Sequence, residues 1–211
     1  MAQITENELW DSYFYSGTDV LINIPDCKDK KLLKEQEATI SLEKLAHLQI
    51  NPLNMGFGKE QLMAIHKYIF DEIYPFAGEY RKVNITKQRG TFLMIKDVSD
   101  FDEFLDYLFK SINMELISCS NKYRFSDILS KLYTNLIYCH PFREGNGRSI
   151  REFMREFSIA KSKEIGLEEL ELDWTKINKE MLNQYIEIAH IYPSLITEMF
   201  NSALTPVSRS K

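Results

Sequence analysis

Apolar side chains recur at every third or fourth position along most of this chain, which is the pattern of amphipathic helices that pack on a shared core. In the stretch 98–117, for example, Phe101, Leu105 and Ile112 fall on one face of a helix. The pattern predicts helices at 32–50, 59–74, 98–117, 125–140, 176–190 and 194–200, with one more that starts at Gly147 or Arg148 and precedes a charged connection at 161–166.

The periodicity changes between Tyr80 and Ile95, where β-branched and aromatic residues flank a turn at Lys87-Gln88-Arg89-Gly90. This pattern indicates a β-hairpin, with Gly90 available for the left-handed position of the turn. An isolated hairpin is only marginally stable in water, so this one must pack on the helices. The predicted fold class is therefore all-α, a helical bundle with one small β-hairpin.

The length of 211 residues and a hydrophobic content of 44% suit one sizeable core, so we predict a single domain over residues 1–211. A helical extension is expected over about 1–50, and a short polar tail over 204–211. Asp173 or Thr175 is expected to cap the helix at 176–190, because short polar side chains accept hydrogen bonds from the first N–H groups of a helix.

Charge and cysteine content exclude several classes of protein. The net charge of −5 lacks the basic footprint of a nucleic-acid-binding protein, so DNA and RNA are not expected as partners. No apolar run approaches the roughly 20 residues that span a bilayer, and the first residues do not resemble a signal peptide. Cys27, Cys119 and Cys139 lack metal-binding spacing. We expect a cytoplasmic protein with reduced thiols and no membrane partner.

The candidate chemistry is concentrated in the segment 140–151, which reads His-Pro-Phe-Arg-Glu-Gly-Asn-Gly-Arg-Ser-Ile-Arg. His140 continues the apolar stripe of the preceding helix, so we expect it on the last turn, before Pro141 ends that helix. The stretch Gly145-Asn146-Gly147 tolerates positive φ, which lets successive backbone N–H groups converge on an anion. A phosphate group fits this description.

Two arginines begin the next helix, where positive side chains oppose the helix dipole. Arg148 and Arg151 share one face of its first turn, at a cost of about 0.3–1 kcal/mol each. An anionic ligand at the N-terminus of the helix would remove this conflict. The alternative is that both arginines pair with Glu144 and Glu152 on a solvated face, with His140 simply hydrogen-bonded at a helix end.

The segment matches, position for position, the pattern H-x-F-x-[D/E]-G-N-G-R-x-x-R of Fic domains, and the chain resembles this family from about Tyr15 to about Phe200. Fic domains transfer the AMP part of ATP to a hydroxyl group of a target protein. The resemblance therefore implies the Fic fold, protein adenylyltransferase activity, ATP as substrate and Mg²⁺ as its companion ion. A Walker-type phosphate loop is a poorer match, because no Lys-Ser/Thr pair follows the glycines.

The resemblance also implies a role for each motif residue. His140 would accept the proton of a target Tyr, Thr or Ser hydroxyl, and Glu144 would bind Mg²⁺ between the α- and β-phosphates. Phe142 would anchor the loop in the core. The implied nucleotide-binding residues of the motif are Gly145, Asn146, Gly147, Arg148 and Arg151, the last of them on the γ-phosphate.

The family uses the hairpin, here residues 79–95, as a flap whose edge holds a target segment by main-chain pairing. Lys87 and Thr91 are the flap residues expected to contact the nucleotide. An equal alternative is that Lys87 is simply a solvated lysine of the turn. Gln184 occupies the place where the family has a residue near the adenine or ribose. The sequence does not identify the target, and it leaves open an oligomer that pairs through surfaces away from the motif.

Fic proteins are commonly inhibited by a helix with the pattern [S/T]-x-x-x-E-[G/N], whose glutamate pairs with the second motif arginine. In this chain the half-pattern occurs without a following Gly or Asn at Thr39/Glu43, Ser99/Glu103, Ser111/Glu115 and Ser194/Glu198. We therefore favour an inhibitory helix supplied by a small antitoxin-like partner. Self-inhibition through Glu43 or Glu198 is the alternative.

Two other functions stay open at this level. One is a Fic-like transferase of another type, which carries out phosphotransfer, as in the Doc branch of the family, or uses UTP, GTP or CDP-choline as donor. Doc carries Ala-Asn-Lys where this chain has Gly-Asn-Gly at 145–147, which favours nucleotidyl transfer. A non-catalytic module would bind a peptide at the hairpin edge, but it would not need His140, Glu144 and both arginines.

Overall fold

The computed structural model describes residues 5–85 and 98–207, and within these ranges the chain folds into eight α-helices and one two-stranded sheet. The helical fold predicted from the apolar periodicity is confirmed. The strands are β1 (Leu170–Leu172) and β2 (Leu204–Pro206). The helices are α1 (Glu6–Asp11), α2 (Lys30–Ile50), α3 (Lys59–Phe70), α4 (Phe101–Ile117), α5 (Lys122–Cys139), α6 (Asn146–Glu164), α7 (Lys179–Ile188) and α8 (Ser194–Ala203).

Short polar side chains determine where several helices begin, because they accept hydrogen bonds from N–H groups that lack a partner in the first turn. Asp29 caps α2, Asn121 caps α5 and Asn178 caps α7 in this way. The cap predicted at Asp173 belongs to a short 3-10 turn at 174–176 instead. The helix predicted at 176–190 is α7, which therefore starts three residues later than expected, at Lys179.

The helices α5 and α6, joined by the loop 140–145, lie at the centre of the domain. Leu129, Leu132 and Leu136 of α5 are fully buried, as are Phe153 and Phe157 of α6. The helix α3 packs on α6, while α4 and α8 pack on α5. The loop that carries the candidate chemistry thus connects the two helices that form the middle of the core.

The small sheet pairs the end of the described chain, β2, with β1. Its antiparallel register sets Leu170 opposite Pro206 and Leu172 opposite Leu204. The polar tail predicted over 204–211 is wrong for its first residues, because Leu204 is buried and its backbone pairs with β1. The sequence did not indicate this sheet, since strands of 3 residues are too short to show a periodic pattern.

The hairpin predicted between Tyr80 and Ile95 lies mostly outside the described residues, and it stays a prediction. Its first part is attached to the N-terminal segment. The N–H of Lys82 donates to the hydroxyl of Tyr13 at 2.9 Å, and the N–H of Asn84 donates to Glu6 at 3.3 Å. The predicted N-terminal extension therefore contacts the base of the predicted flap.

Two expectations from composition concern membranes and thiols. Among the helices of residues 5–85 and 98–207, none combines the length and apolar character that crossing a membrane requires. No disulfide joins Cys27, Cys119 and Cys139, which all lie in these ranges. Cys119 and Cys139 are buried and contribute to the hydrophobic core.

A buried polar network lies where α3 packs on α6. Glu156 is 3% exposed, and one of its carboxylate oxygens accepts a hydrogen bond from the side-chain amide of Gln61. The other oxygen has no hydrogen-bond partner among the described residues. Arg155 forms its close ion pair with Glu152. Burial, and then the negative charge of Glu152, raise the pKa of Glu156 to about 7.

We expect Glu156→Gln to stabilise the protein more at pH 8 than at pH 5. Because the folded-state pKa of Glu156 lies above its ordinary value of 4.5, the wild type loses stability as the pH rises from about 4.5 to about 7, and the glutamine variant does not. The free energy of unfolding of the variant, relative to wild type, should be about 2 kcal/mol larger at pH 8 than at pH 5. Urea titrations measure this difference, with the exposed Glu180→Gln as control, and equal differences at both pH values would contradict it.

Candidate active site

His140 lies one residue beyond α5, which ends at Cys139, and its backbone takes the left-handed conformation with a φ of 45°. The predicted position on the last helical turn is thus corrected by one residue, because proline disfavours the helical conformation of the residue before it. The N–H of His140 still donates to the carbonyl of Leu136 at 3.0 Å. A non-glycine residue in this conformation is strained, so its surroundings must hold it there.

Arg81 holds this strained turn. Its Nε donates to the carbonyl of His140 at 2.9 Å, and its backbone N–H donates to the carbonyl of Pro141 at 2.8 Å. The side chain is 2% exposed and lies over the ring of Phe101. Arg81 therefore fixes the peptide groups on both sides of Pro141. Sequence reasoning missed Arg81, since one arginine after a glycine turn carries no recognisable pattern.

Phe142 anchors the loop in the core, as predicted. Its ring is fully buried and stacks on the imidazole of His66, with ring centroids 3.8 Å apart. The Nδ1 of His66 accepts a hydrogen bond from the N–H of Gly78 at 2.8 Å, so Nε2 carries the proton and donates to the carbonyl of Glu144 at 2.9 Å. Burial lowers the pKa of His66 to about 4, which keeps the ring neutral. His66 thus ties the loop to α3.

Glycine is required at position 145 for two independent reasons. The φ of Gly145 is 80°, and a Cβ at this position would lie 2.3 Å from the ring of Phe70. Gly147 lies in the first turn of α6, as one of the two predicted starts had it, and it does not use the positive φ that glycine tolerates. A Cβ on Gly147 would instead come within 3.1 Å of the guanidinium of Arg151. The two glycines therefore serve different purposes, one for the turn and one for close packing.

Asn146 begins α6, and its side chain is used inside the loop. Its amide donates to the carbonyl of Phe142 at 2.7 Å, and its Oδ1 accepts a hydrogen bond from the N–H of Phe142 at 2.9 Å. Asn146 is also 2% exposed. The side chain thus braces the loop, and only the main-chain N–H of Asn146 is suited to bind a nucleotide.

The N-terminus of α6 has the properties of an anion site. No side chain caps it, and its first turn contains no acidic residue. The first N–H groups of a helix have no partner within the helix, and they form the positive end of its dipole. One turn further lies Arg151, whose guanidinium forms no ion pair with a carboxylate in the described ranges. Burial lowers the pKa of Arg151, and the neighbouring charge of Arg148 lowers it further.

Arg148 has its own carboxylate partner. Its Nη2 pairs with Glu37 of α2, and its Nη1 donates to the hydroxyl of Ser41 at 3.0 Å. The guanidinium also lies over the ring of Phe70, 4.7 Å from the ring centroid. The remaining oxygen of Glu37 accepts a hydrogen bond from the hydroxyl of Tyr74. The chain itself therefore supplies an anion at the head of α6.

Of the surface pairs considered as an alternative, only the long contact between Arg148 and Glu144 is present among the described residues. Glu144 lies 3.9 Å from Arg148, at the limit of an ion pair, and Glu152 pairs with Arg155. Glu37 was missed at the level of sequence. Its contact with Arg148 joins residues 111 positions apart, so no local pattern marks it.

Glu144 lies at the mouth of the site. Its side chain is 45% exposed, and its Oε1 accepts a hydrogen bond from the N–H of Gly145 at 3.0 Å. Glu144 lines a cavity of about 230 Å³ together with Lys34, Glu37 and Tyr74. In the described ranges no group of three or more His, Cys, Asp or Glu residues could hold a metal. One exposed carboxylate fits Mg²⁺, which commonly completes its shell with substrate phosphates and water.

Residues 56–158 match the model of the Fic/DOC family. They run from the residues just before α3 to the middle of α6, and they include the whole loop 140–145. This part of the chain is a Fic domain. The helices α1 and α2, which supply Glu37, lie before the matched residues.

Curated relatives of the chain are about a quarter identical to it over the aligned residues. The protein adenylyltransferase VbhT of Bartonella schoenbuchensis is 25% identical over 92% of this chain, and the match spans 39% of VbhT. The probable protein adenylyltransferase Fic of Escherichia coli is 25% identical, and the match covers 82% of each chain. The chain thus spans about two fifths of the first relative and most of the second.

Solved Fic structures superimpose over almost the whole chain. The BepC effector protein of Bartonella tribocorum with bound AMPPNP has a TM-score of 0.79 at 21% identity, covering 94% of this chain and 98% of that one. The N-terminal Fic domain of a Bep effector protein of Bartonella quintana with bound ADP has a TM-score of 0.80 at 22% identity, covering 92% and 95%. At these identities the likeness shows the fold.

Of the three nucleotide contacts predicted outside the motif, only Gln184 lies in the described residues. Gln184 is exposed on α7, and it forms no hydrogen bond with a described residue of the loop 140–145. Lys87 and Thr91 lie outside the described residues. The roles of all three stay predictions.

The two glutamates considered for self-inhibition lie on the surface. Glu43 is exposed on α2, and Glu198 of α8 accepts a hydrogen bond from the hydroxyl of Tyr123 at 3.0 Å. In residues 5–85 and 98–207 neither forms an ion pair with Arg148 or Arg151. The glutamate of α2 that reaches the Fic motif is Glu37, so the structure does not support self-inhibition through Glu43 or Glu198.

We expect Gly145→Ala to destabilise the protein more than Gly56→Ala. Both glycines have positive φ, which costs an alanine about 1–2 kcal/mol, but a Cβ at Gly56 meets nothing within 4 Å. The contact with Phe70 should add about 1–3 kcal/mol at Gly145. Urea unfolding of the two variants measures the difference, and equal losses would show that Phe70 does not constrain the loop.

Proposed function

We propose that this Fic protein is a protein adenylyltransferase, which transfers AMP from ATP to a hydroxyl group of a target protein and releases pyrophosphate. The observation that carries the proposal is the partly buried guanidinium of Arg151 beside the uncapped N-terminus of α6, with His140 at the other end of the same short loop. Two relatives are named adenylyltransferases, and two structures of the same fold hold AMPPNP and ADP.

His140 is the residue we assign as general base. A Tyr, Thr or Ser hydroxyl is a weak nucleophile near neutral pH, so a neutral imidazole must accept its proton as attack proceeds. The oxygen then forms a bond to the α-phosphorus of ATP, and the bond from that phosphorus to the bridging oxygen of the β-phosphate breaks. The leaving group takes the bonding electrons and departs as pyrophosphate.

The first turn of α6 would stabilise the charge of the triphosphate. Its free N–H groups and the helix dipole point to the same place, and Arg148 and Arg151 add two guanidiniums. We assign Arg151 to the γ-phosphate, because no described carboxylate competes for it. Catalysis would then depend mostly on positioning and electrostatics, since the groups are fixed before the substrate arrives.

Mg²⁺ would be held by Glu144, whose carboxylate is exposed beside the head of α6. The ion would neutralise charge on the α- and β-phosphates when the nucleotide is bound. Glu144 also accepts the N–H of Gly145, which orients the carboxylate within the loop.

The target would dock on the hairpin predicted at 79–95 by pairing its main chain with an exposed strand edge. Lys87 and Thr91 are assigned to the nucleotide side of this flap, and Gln184 to the adenine or ribose. The described base of the flap supports this arrangement. Arg81 holds the turn at His140 and belongs to the segment that leads into the hairpin. The position of the flap would therefore be coupled to that of the general base, His140.

Transfer of label from ATP should depend on His140. Incubation of the purified protein with a lysate, Mg²⁺ and ATP labelled at the α-phosphate should give labelled protein, and His140→Ala should reduce the rate by at least about 100-fold. The exposed His190→Ala serves as the matched control and should keep full activity. Undiminished labelling by His140→Ala would remove the assigned base, and transfer only from the γ-labelled nucleotide would identify a phosphotransferase instead.

We assign inhibition to a small antitoxin-like partner whose helix would place a glutamate on Arg151. Two observations support this assignment. The chain lacks a complete inhibitory pattern, and the guanidinium of Arg151 has no carboxylate partner in the described ranges. The partner carboxylate would occupy the guanidinium face that the γ-phosphate needs.

If inhibition requires a partner, Glu43→Gly and Glu198→Gly should leave the transfer rate of the purified protein within about twofold of wild type, because surface substitutions away from a site have small effects. The same assay with α-labelled ATP measures this. A sharp rise in either variant would instead show inhibition within the chain.

A further inference from the structure

We propose that Glu37 is a positioning residue for nucleotide binding, which holds Arg148 so that its remaining N–H groups face the phosphates. This inference rests on the proposed use of ATP. Glu37 belongs to α2, outside the residues 56–158 that match the family model, so the match itself assigns it no role. The argument rests on the contacts of the guanidinium of Arg148.

Groups from two helices, α2 and α3, restrain this guanidinium. Glu37 and Ser41 contact its two terminal nitrogens, and Phe70 of α3 lies under its plane. Tyr74, which follows α3, orients Glu37 through its hydroxyl. Burial, and then the hydrogen bond with Glu37, raise the pKa of Tyr74, so its hydroxyl stays protonated and remains a donor. Arg148 is thus held in one orientation before any nucleotide binds.

The restraint leaves donors available. A guanidinium has five N–H groups in a planar fork, and the contacts with Glu37 and Ser41 use two of them. The side chains of Arg148 and Glu37 are only 22% and 14% exposed, so water offers little competition for this pair. An arginine ordered in advance loses less conformational entropy when it binds a phosphate.

Glu37 also separates the tasks of the two motif arginines. Burial lowers the pKa of Arg151 most, and the positive charge of Arg148 lowers it further because it disfavours a second charge nearby. A carboxylate on Arg148 balances one of the two charges and allows both guanidiniums to stay at the head of α6. Arg151 then supplies the unbalanced charge that attracts the nucleotide, while the fixed N–H groups of Arg148 orient its phosphates.

The opposite role for Glu37 would be competition, in which its carboxylate blocks the phosphates from Arg148. The two roles predict opposite changes in ATP affinity when Glu37 is removed. Positioning predicts weaker binding, and competition predicts tighter binding. Because affinity needs no target protein, the test is independent of the target.

The experiment is isothermal titration of the purified chain with ATP and Mg²⁺. Glu37→Ala should raise the Kd for ATP by about tenfold, a typical loss when a supporting partner of a binding group is removed. Glu37→Gln keeps one acceptor oxygen for Arg148, while its NH₂ group can donate to the hydroxyl of Tyr74, so it should lose less. Glu43→Ala, on the exposed face of the same helix, is the matched control and should bind as wild type does.

A double-mutant cycle with Arg148→Ala separates positioning from a general loss of structure. If Glu37 acts through Arg148, adding Glu37→Ala to Arg148→Ala should change the Kd no further. Should Glu37→Ala fail to fold, Tyr74→Phe, which removes the hydroxyl that orients Glu37, replaces it in the cycle and should give a smaller loss of the same kind.

The possible results are distinct. Tighter or unchanged binding by Glu37→Ala, or an equal loss in the Arg148→Ala background, would overturn the role of Glu37 and leave the proposed function intact. A wild-type chain that does not bind ATP would overturn the proposed function, and the role of Glu37 with it.

Discussion

The site depends on how tightly the loop 140–145 is held between the two central helices. The ring of Phe142 is buried against His66, and Asn146 closes the loop onto the backbone of Phe142. Gly145 brings the chain against Phe70 where a side chain would not fit. Interiors packed at this density do not deform continuously, so the loop has one arrangement available. Its rigidity fixes His140 relative to the head of α6.

Charge balance is the second constraint on the site. A helix N-terminus that carries two arginines is unfavourable without an anion, and the structure resolves half of this conflict with Glu37. The guanidinium of Arg151 has no carboxylate partner among the described residues, and it is partly buried, where an unbalanced charge is costly. Such an imbalance is tolerated where a ligand completes it, which is why the site fits a polyphosphate better than a neutral substrate.

Much of this fold and site could be predicted from sequence, and the failures have physical causes. Long periodic stretches such as 125–140 specify helices, and the motif at 140–151 specifies the loop, because both signals are local. Glu37 and Arg81 act through tertiary contacts with residues far along the chain, which no local pattern encodes. The sheet at Leu204 was missed because burial, not propensity, determines such short strands. Spacing alone also could not show that Gly147 makes room for Arg151.

The central claim is that the loop and the head of α6 form a ready-made site for the triphosphate, with His140 beside it. A crystal structure with a non-hydrolysable ATP analogue and Mg²⁺ tests this most directly. The account predicts phosphate oxygens within hydrogen-bond distance of the first N–H groups of α6 and of Arg151, with the loop 140–145 unchanged and the α-phosphate next to the imidazole of His140. A nucleotide bound elsewhere, or a loop that must refold to admit it, would contradict the account.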